Sequence, residues 1–360
     1  MFKFILVILV IFLVSLPIFF TESKYYRGNI SNHFNGKYFY NVSDLADDLK
    51  SDKQSNKHRG FFSYYLSKIN YEKIHGKPIW QDKIITVKQF IPKDKIEDKS
   101  LHVSYIGHST FLLQLQGLNI LTDPIYSNIA SPFSFIGPKR AIIPGINFDD
   151  LPKIDIVLIS HSHYDHMDLP TIKKLQKKFK PQFITGLGNC YFLNNKRNLN
   201  LKCSELDWQD KITISQNLNI HFYQAKHWSK RMMFGRNASL WGAFIIESKI
   251  GNIYFAGDTG YDSHFSKAQE KFKEFKLALL PIGAYKPEDF MLKFHLSPSQ
   301  AIQAHQDLNA KKSIAMHYKT FKLSQENYED PVIDLEKEKK LRKIKDDFII
   351  LDVGKNLILK

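Results

Sequence analysis

At 360 residues, with 43% hydrophobic and 14% aromatic positions, the chain carries enough apolar surface to exclude a wholly disordered or fibrous protein. Its length fits one large layered domain as well as two small ones. Lysine and arginine (51) outnumber aspartate and glutamate (36), and the surplus of +15 favours an anionic partner: nucleic acid, an anionic membrane or a phosphate-bearing substrate. The two cysteines, Cys190 and Cys203, exclude a disulfide scaffold and a cysteine-rich zinc module. At most one bridge is open to them, and they read as two buried free thiols, because free cysteine packs as a small hydrophobe.

The chain starts with an uncharged apolar run from Phe4 to Phe20, set between Lys3 and the polar Thr21-Glu22-Ser23-Lys24. As a helix this run just reaches across a bilayer core of roughly 30 Å. It is longer than the core of an ordinary export signal and no Ala-x-Ala site follows it. Residues 1–23 therefore read as a membrane anchor or signal, with the uncleaved anchor favoured. Sidedness stays open, since Lys3 on one flank faces Lys24 and Arg27 on the other. Residues 24–100 are polar and aromatic with weak periodicity, which predicts an irregular wrapping segment holding one or two short helices.

From Leu101 the texture changes to short β-branched runs ended by Gly, Asp or His. Strands are predicted at Leu101–Gly107, Phe111–Gln116, Asn119–Asp123, Asp155–Ser160, Leu218–Ala225, Ala243–Glu247, Asn252–Ala256, Leu277–Pro281, Lys312–Met316 and Phe348–Val353. Helical patterns fall at Leu169–Phe179, Ser266–Phe275, Ser297–Asp307 and Val332–Lys345, the third opening with a capping box, Ser297-Pro298-Ser299-Gln300. Residues 101–360 thus read as one α/β (α+β) domain. No repeat of 20 to 50 residues appears, although two half-sheets of similar strand content agree with the count. Lys173, Lys174, Lys177, Lys178 and Lys180 share one helix face, either solvated or leaning toward anionic lipid headgroups. Elsewhere the charge is spread, with no basic arm.

The informative segment is His161-Ser162-His163-Tyr164-Asp165-His166, directly after a buried strand. Two histidines at i and i+2 of an extended segment point the same way, so His161 and His163 can bind one metal. Asp165 and His166, as the chain turns into a helix, can reach a second. Three later strands end in the same chemistry, at His227, Asp258 and His317. One such strand end is weak evidence; four converging ends are strong evidence. The absence of thiolates suits zinc or another borderline metal.

These residues, with Gly107-His108-Ser109-Thr110, Leu121-Thr122-Asp123-Pro124, Gly137-Pro138-Lys139-Arg140, Leu206-Asp207-Trp208, the word from Lys226 to Arg231, Gly257-Asp258-Thr259-Gly260-Tyr261, His295 with Ser297-Pro298, and the word from Ala315 to Phe321, carry a resemblance. From about Ser31 to Asp330 the chain resembles the metallo-β-lactamase fold superfamily, and within it the family of N-acylphosphatidylethanolamine-hydrolysing phospholipases D. The resemblance implies a four-layer αβ/βα sandwich with two Zn2+ along one edge. It implies that His161, His163 and His227 hold one zinc, that Asp165, His166 and His317 hold the other, and that Asp258 bridges them. His295 matches the position that contacts the scissile phosphate. The apolar N-terminal run and the C-terminal thirty residues fall outside the shared pattern.

The implied reaction is attack of a metal-bridged hydroxide on phosphorus, with Asp165, Asp258 and His295 as catalytic groups, a phospholipid as substrate and a membrane as partner. A ribonuclease of this fold would need a basic clamping arm, which the even charge does not provide, so no nucleic-acid partner is expected. A lactone or lactam hydrolase would leave His295 and the basic surface without a task. His102 and His108 read as structural, with a hydrogen bond behind the ligands open to His108; His33, His58, His75, His221, His264 and His305 read as surface or satisfied core residues. Asp123 reads as a turn former or an acid behind the ligands, and Gly186-Leu187-Gly188-Asn189 as a tight turn. Trp228, Trp241, Tyr261 and Tyr285 belong either to the cleft or to the core. The sequence leaves oligomeric state open.

Overall fold

The computed structural model of the protein describes residues 25–43, 61–231, 235–344 and 346–360. The expected anchor at Phe4 to Phe20 lies outside them, and among the described residues no helix is long and apolar enough to cross a membrane. The strands are β1 (Leu101–Gly107), β2 (Thr110–Leu115), β3 (Leu118–Thr122), β4 (Ile156–Ile159), β5 (Gln182–Gly186), β6 (Cys203–Leu206), β7 (Lys211–Ser215), β8 (Leu218–Tyr223), β9 (Ala243–Ser248), β10 (Asn252–Phe255), β11 (Phe275–Pro281), β12 (Ser313–Met316), β13 (Phe348–Ile349) and β14 (Asn356–Leu359). They form two seven-stranded sheets, ordered β14-β1-β2-β3-β4-β5-β6 and β13-β12-β11-β10-β9-β8-β7.

Each sheet is antiparallel at one end and parallel at the other. In the first, β14 through β3 pair antiparallel and β3 through β6 parallel. In the second, β7 through β10 pair antiparallel and β10 through β13 parallel. Local chemistry explains the switch. Gln116 and Gly117 both take left-handed dihedrals, φ 50° and 73°, as a two-residue hairpin turn demands between β2 and β3. After β3 the connections are long, and the strands become continuous apolar runs buried on both faces, as in Ile156–Ile159.

Alternation along β2 and β3 sends Leu113 and Ile120 into the core shared with Phe222, Phe244, Phe255 and Leu279 of the second sheet. Leu112 and Leu121 point the other way, into a cluster closed by Ile172 and Leu175 of helix α2 (Leu169–Lys178). On the second sheet's side, α3 (His264–Phe272), α4 (Pro298–Asp307) and α5 (Asp330–Leu341) contribute Phe265, Ile302 and Leu335 to the main core. The result is a mixed α/β two-sheet sandwich with helices outside the sheets. The capping box of α4 forms in full: Ser297 Oγ accepts from Gln300 N at 3.3 Å and Gln300 Oε1 accepts from Ser297 N at 3.2 Å.

Three expectations need correction. Strands β5, β6, β7 and β14 were not predicted, and the strand expected at Phe348–Val353 keeps only Phe348–Ile349. Cys190 and Cys203 are not free thiols but a disulfide, with Cα atoms 5.7 Å apart. Because β5 and β6 are neighbours, the connection between them doubles back, and the helical turn Asn189–Tyr191 delivers Cys190, 13 residues before its partner, against the first residue of β6. Within residues 24–100 one helix is described, α1 (Phe61–His75). Ahead of it, Phe34 and Phe39 enter the core, and Asn41 Nδ2 donates to the carbonyl of His227 at 3.0 Å.

Candidate metal centre

The loop leaving β4 is fixed from behind by Asp123, which follows β3. Its carboxylate accepts from Ser160 N at 2.7 Å, from Ser160 Oγ at 2.6 Å and from His166 Nδ1 at 2.6 Å. From the other side Arg231, itself buried, donates to the carbonyls of Ser162 and His163 at 3.3 Å while lying 4.0 Å over the Tyr164 ring. Tyr164 in turn donates to the Arg231 carbonyl. The ligand-bearing turn is therefore held by groups on both sheets.

All seven candidate ligands meet. His163 Nδ1 lies 2.8 Å from His161 Nε2 and 3.2 Å from His227 Nε2, one compact triad. Asp165 Oδ2 lies 3.3 Å from His166 Nε2 and 3.4 Å from His317 Nε2, a second triad. Asp258 Oδ2 stands between them, 3.9 and 3.8 Å from His161 and His227 and 3.2 Å from both His166 and His317. His295 Nδ1 is 3.9 Å from the same oxygen, on the rim. His108 Nε2 bonds Asp165 Oδ2 at 2.9 Å, so it sits behind the ligands and close enough to belong to a metal-holding group with them.

Backbone strain concentrates here. His108, Asp123 and His317 are non-glycine residues at φ 58°, 31° and 61°. Such left-handed dihedrals persist where the surroundings impose them. His317 N donates to the His108 carbonyl at 2.9 Å and His108 N to Thr320 Oγ1 at 2.9 Å.

The donor set fits divalent metal. His227 Nδ1 donates to the Phe294 carbonyl at 2.9 Å and His166 Nδ1 to Asp123, which leaves both Nε2 atoms facing inward. Buried His166 Nε2, His317 Nε2 and Asp258 Oδ1 make no well-directed hydrogen bond among the described residues, although Asp258 Oδ2 is near both imidazoles. Buried polar atoms without partners are costly, and a cation between them removes that cost. Burial pushes His163 and His227 down to about 3, which keeps that triad neutral and ready to donate lone pairs. Burial also opposes charge on His317, but Asp258 and Asp165 outweigh it and raise it to about 9. Despite their own burial, Asp258 and Asp165 are held well below the usual carboxylate range, chiefly by His166.

Of the four aromatics left open, only Trp228 reaches the centre, its ring 4.2 Å from that of His163. Trp241 is core, donating to the Ala225 carbonyl at 3.0 Å, and Tyr285 is buried with its hydroxyl on Asp334. Tyr261 bonds Asp307, away from the ligands. Sequence reasoning missed Arg231 and Asn41 as supports of the centre; neither has a spacing that betrays a contact so remote in the chain.

A family described as "Beta-lactamase superfamily domain" matches residues 118–318. The chain is 29% identical over 337 residues to N-acyl-phosphatidylethanolamine-hydrolyzing phospholipase D 1 of Caenorhabditis elegans, covering 89% of this chain and 92% of that protein. It is 34% identical over 239 residues to the mitochondrial N-acyl-phosphatidylethanolamine-hydrolyzing phospholipase D of Saccharomyces cerevisiae, covering 65% of this chain and 50% of the yeast protein. A solved metallo hydrolase of Ignicoccus hospitalis superposes with a TM-score of 0.54 at 19% identity, over 72% of this chain and 99% of the other. The chain belongs to the β-lactamase superfamily, as a metallo-hydrolase homologous to the N-acyl-phosphatidylethanolamine-hydrolysing phospholipases D.

Proposed function

We propose that this protein is a zinc-dependent phosphodiesterase acting on N-acylphosphatidylethanolamine-type phospholipids in a phospholipase D reaction. His161, His163 and His227 would hold one ion and Asp165, His166 and His317 the other, with Asp258 placed between the two triads. The observation that carries this reading is the position of Asp258 Oδ2, one oxygen within 3.9 Å of four imidazole nitrogens from two triads. The two relatives named for this reaction support the substrate class.

Bound divalent ions supply Lewis acidity toward a phosphoryl oxygen and a nucleophile from water near neutral pH. The protein's own groups do the rest. Asp258 Oδ1, buried and without a hydrogen-bond partner among the described residues, accepts a proton as water oxygen bonds to phosphorus. The bond from phosphorus to the ethanolamine oxygen breaks, that oxygen takes the proton from Asp258, and N-acylethanolamine leaves while phosphatidic acid remains. Burial pushes His295 down to about 3, so it serves as a neutral hydrogen-bond donor to the phosphoryl group rather than as a cation. Trp228 forms an apolar wall beside His163. The Phe4 to Phe20 run keeps the enzyme at the bilayer that contains its substrate.

The test is metal content of the purified protein together with hydrolysis of N-acylphosphatidylethanolamine, a soluble phosphodiester and RNA, by wild type and Asp258→Asn. The reading expects zinc, cleavage of both phosphodiesters and not RNA, and loss of at least about a hundredfold in the variant. Absence of transition metal, or full activity in Asp258→Asn, sinks it.

A further inference from the structure

The chain between the end of β3 and Arg140 leaves the metal centre and returns to it, and what it carries outward is an apolar cluster. Residues 132–137, Pro132-Phe133-Ser134-Phe135-Ile136-Gly137, are all exposed. Phe133, Phe135 and Ile136 are 49%, 78% and 60% exposed, and the two phenyl rings lie 5.8 Å apart, touching each other rather than the core. From Ile125 to Arg140 there is no acidic residue. The stem is well built: Ala130 N donates to the Pro138 carbonyl at 3.0 Å and Arg140 N to the Asn128 carbonyl at 2.8 Å. Arg140, buried at the base, donates to the carbonyls of Ile125 and Ser127 at 2.8 and 3.1 Å. The apolar tip is thus held out on a braced stalk.

Charge at the base matches one kind of partner. A cleft of 510 Å³ beside the stem is lined by Lys83, Lys139, Arg140 and Lys322 against a single acid, Asp82. Exposed Ile79 and Ile84 continue the apolar character on the neighbouring segment. Clustered aromatic and aliphatic side chains above a cationic collar suit the boundary of an anionic bilayer: the rings enter the acyl region while the lysines meet phosphate. The stalk also leads to the chemistry. The Arg140 guanidinium lies 4.9 Å from the Phe321 ring, and Phe321 stands edge-on to His108, which bonds Asp165.

We propose that the loop carrying Phe133, Phe135 and Ile136 is a membrane-docking element that inserts into anionic lipid surfaces and places the metal centre at the bilayer. The docking stands on its own; only its consequence for catalysis rests on the phospholipid reading above. The test uses the full chain. With Cys190 and Cys203 bonded to each other, Phe135→Cys provides a unique thiol for an environment-sensitive fluorophore. Lys311→Cys, just before β12 and so at the opposite end of that strand from His317, is the control.

Phosphatidylcholine vesicles containing phosphatidylglycerol should shift the emission of the Phe135→Cys label to the blue and expose it to a lipid-borne quencher, with a smaller effect in high salt and none at position 311. No shift at position 135, or equal shifts at both positions, overturns the proposal. A shift produced by concentrating the protein without vesicles overturns it in favour of a contact between copies of the chain. A Phe133→Ser/Phe135→Ser variant should lose about tenfold in hydrolysis of vesicle-borne lipid while cleaving bis(p-nitrophenyl) phosphate at the wild-type rate. Equal loss on both substrates overturns the docking role. Insertion of the label with no cleavage of N-acylphosphatidylethanolamine leaves the docking element standing and removes the substrate reading.

Discussion

Asp123 Oδ2 accepts the Nδ1 proton of His166 at 2.6 Å, and both side chains are wholly buried. That bond fixes which nitrogen of His166 faces the centre, while the same carboxylate holds Ser160 at the end of β4. Asp123→Asn keeps the volume but not the charge behind the imidazole. Affinity at the His166 side should fall about ten- to a hundredfold, read by competition with a chelator. Unchanged affinity for both ions would show that Asp123 only shapes its turn.

The two triads should respond differently to protons. Without metal, His317 titrates at about 9 and His166 well above its ordinary value, the pull of Asp258 and Asp165 exceeding the cost of burial. His163 and His227 are pushed the opposite way, to about 3. Loading zinc at pH 7 should release about two protons, all from the Asp165 side, measurable by calorimetry in buffers of different ionisation enthalpy. As pH falls, that side should empty first. The raised His317 value also stabilises the metal-free fold below the ordinary histidine value of 6.5, and that contribution is lost as pH rises through about 9. Metal-free protein should therefore melt lower at pH 10 than at pH 7 by more than metal-loaded protein does.

Gly283 follows β11 and lies against the strained backbone of His317. A Cβ there would meet the His317 carbonyl oxygen at 2.0 Å, far inside contact distance. Gly283→Ala should displace His317, with loss of at least about tenfold in activity and of roughly half the bound metal, while the far-ultraviolet circular dichroism stays native. Full metal content in a folded variant would contradict the assignment of His317.

The Cys190–Cys203 bridge closes a short loop beside the edge of the first sheet. A Cys190→Ser/Cys203→Ser variant should lose about 2–3 kcal/mol of unfolding free energy, by denaturant titration, with metal content unchanged. Peptide mapping without reductant should recover the linked pair. Disulfides persist in oxidising compartments, so, on the membrane anchor proposed above, a protease-protection assay should find residues 101–360 on the non-cytosolic side.

The parts of the fold that were legible in sequence were those whose burial is repetitive. Ile156–Ile159 and Leu277–Pro281 are continuous apolar runs, and α4 carries its own start signal in Ser297 and Gln300. Strand β7 escaped because its residues alternate between exposed and half-buried at a sheet edge, and β5 because Gln182, Thr185 and Gly186 dilute its two-residue apolar centre, Phe183-Ile184. Strand β14 exists only because β1 offers it an edge across the whole length of the domain, a pairing no local pattern encodes. The candidate ligands that the fold brings together were legible because metal chemistry restricts residue type so strongly. Its supports, Arg231 and Asn41, act through backbone carbonyls that any residue provides, and so left no mark.

The order of strands has a further consequence for how the centre works. His161 and His163 come from the first sheet and His227 from the second; Asp165 and His166 come from the first and His317 from the second. Neither triad is complete within one half of the sandwich. Each bound ion would rivet two separately hydrogen-bonded walls together, and the joint would be the place where the protein does its work. A shear of one wall past the other would part the ligands long before either sheet came undone, so loss of metal should be the first event when this protein is stressed.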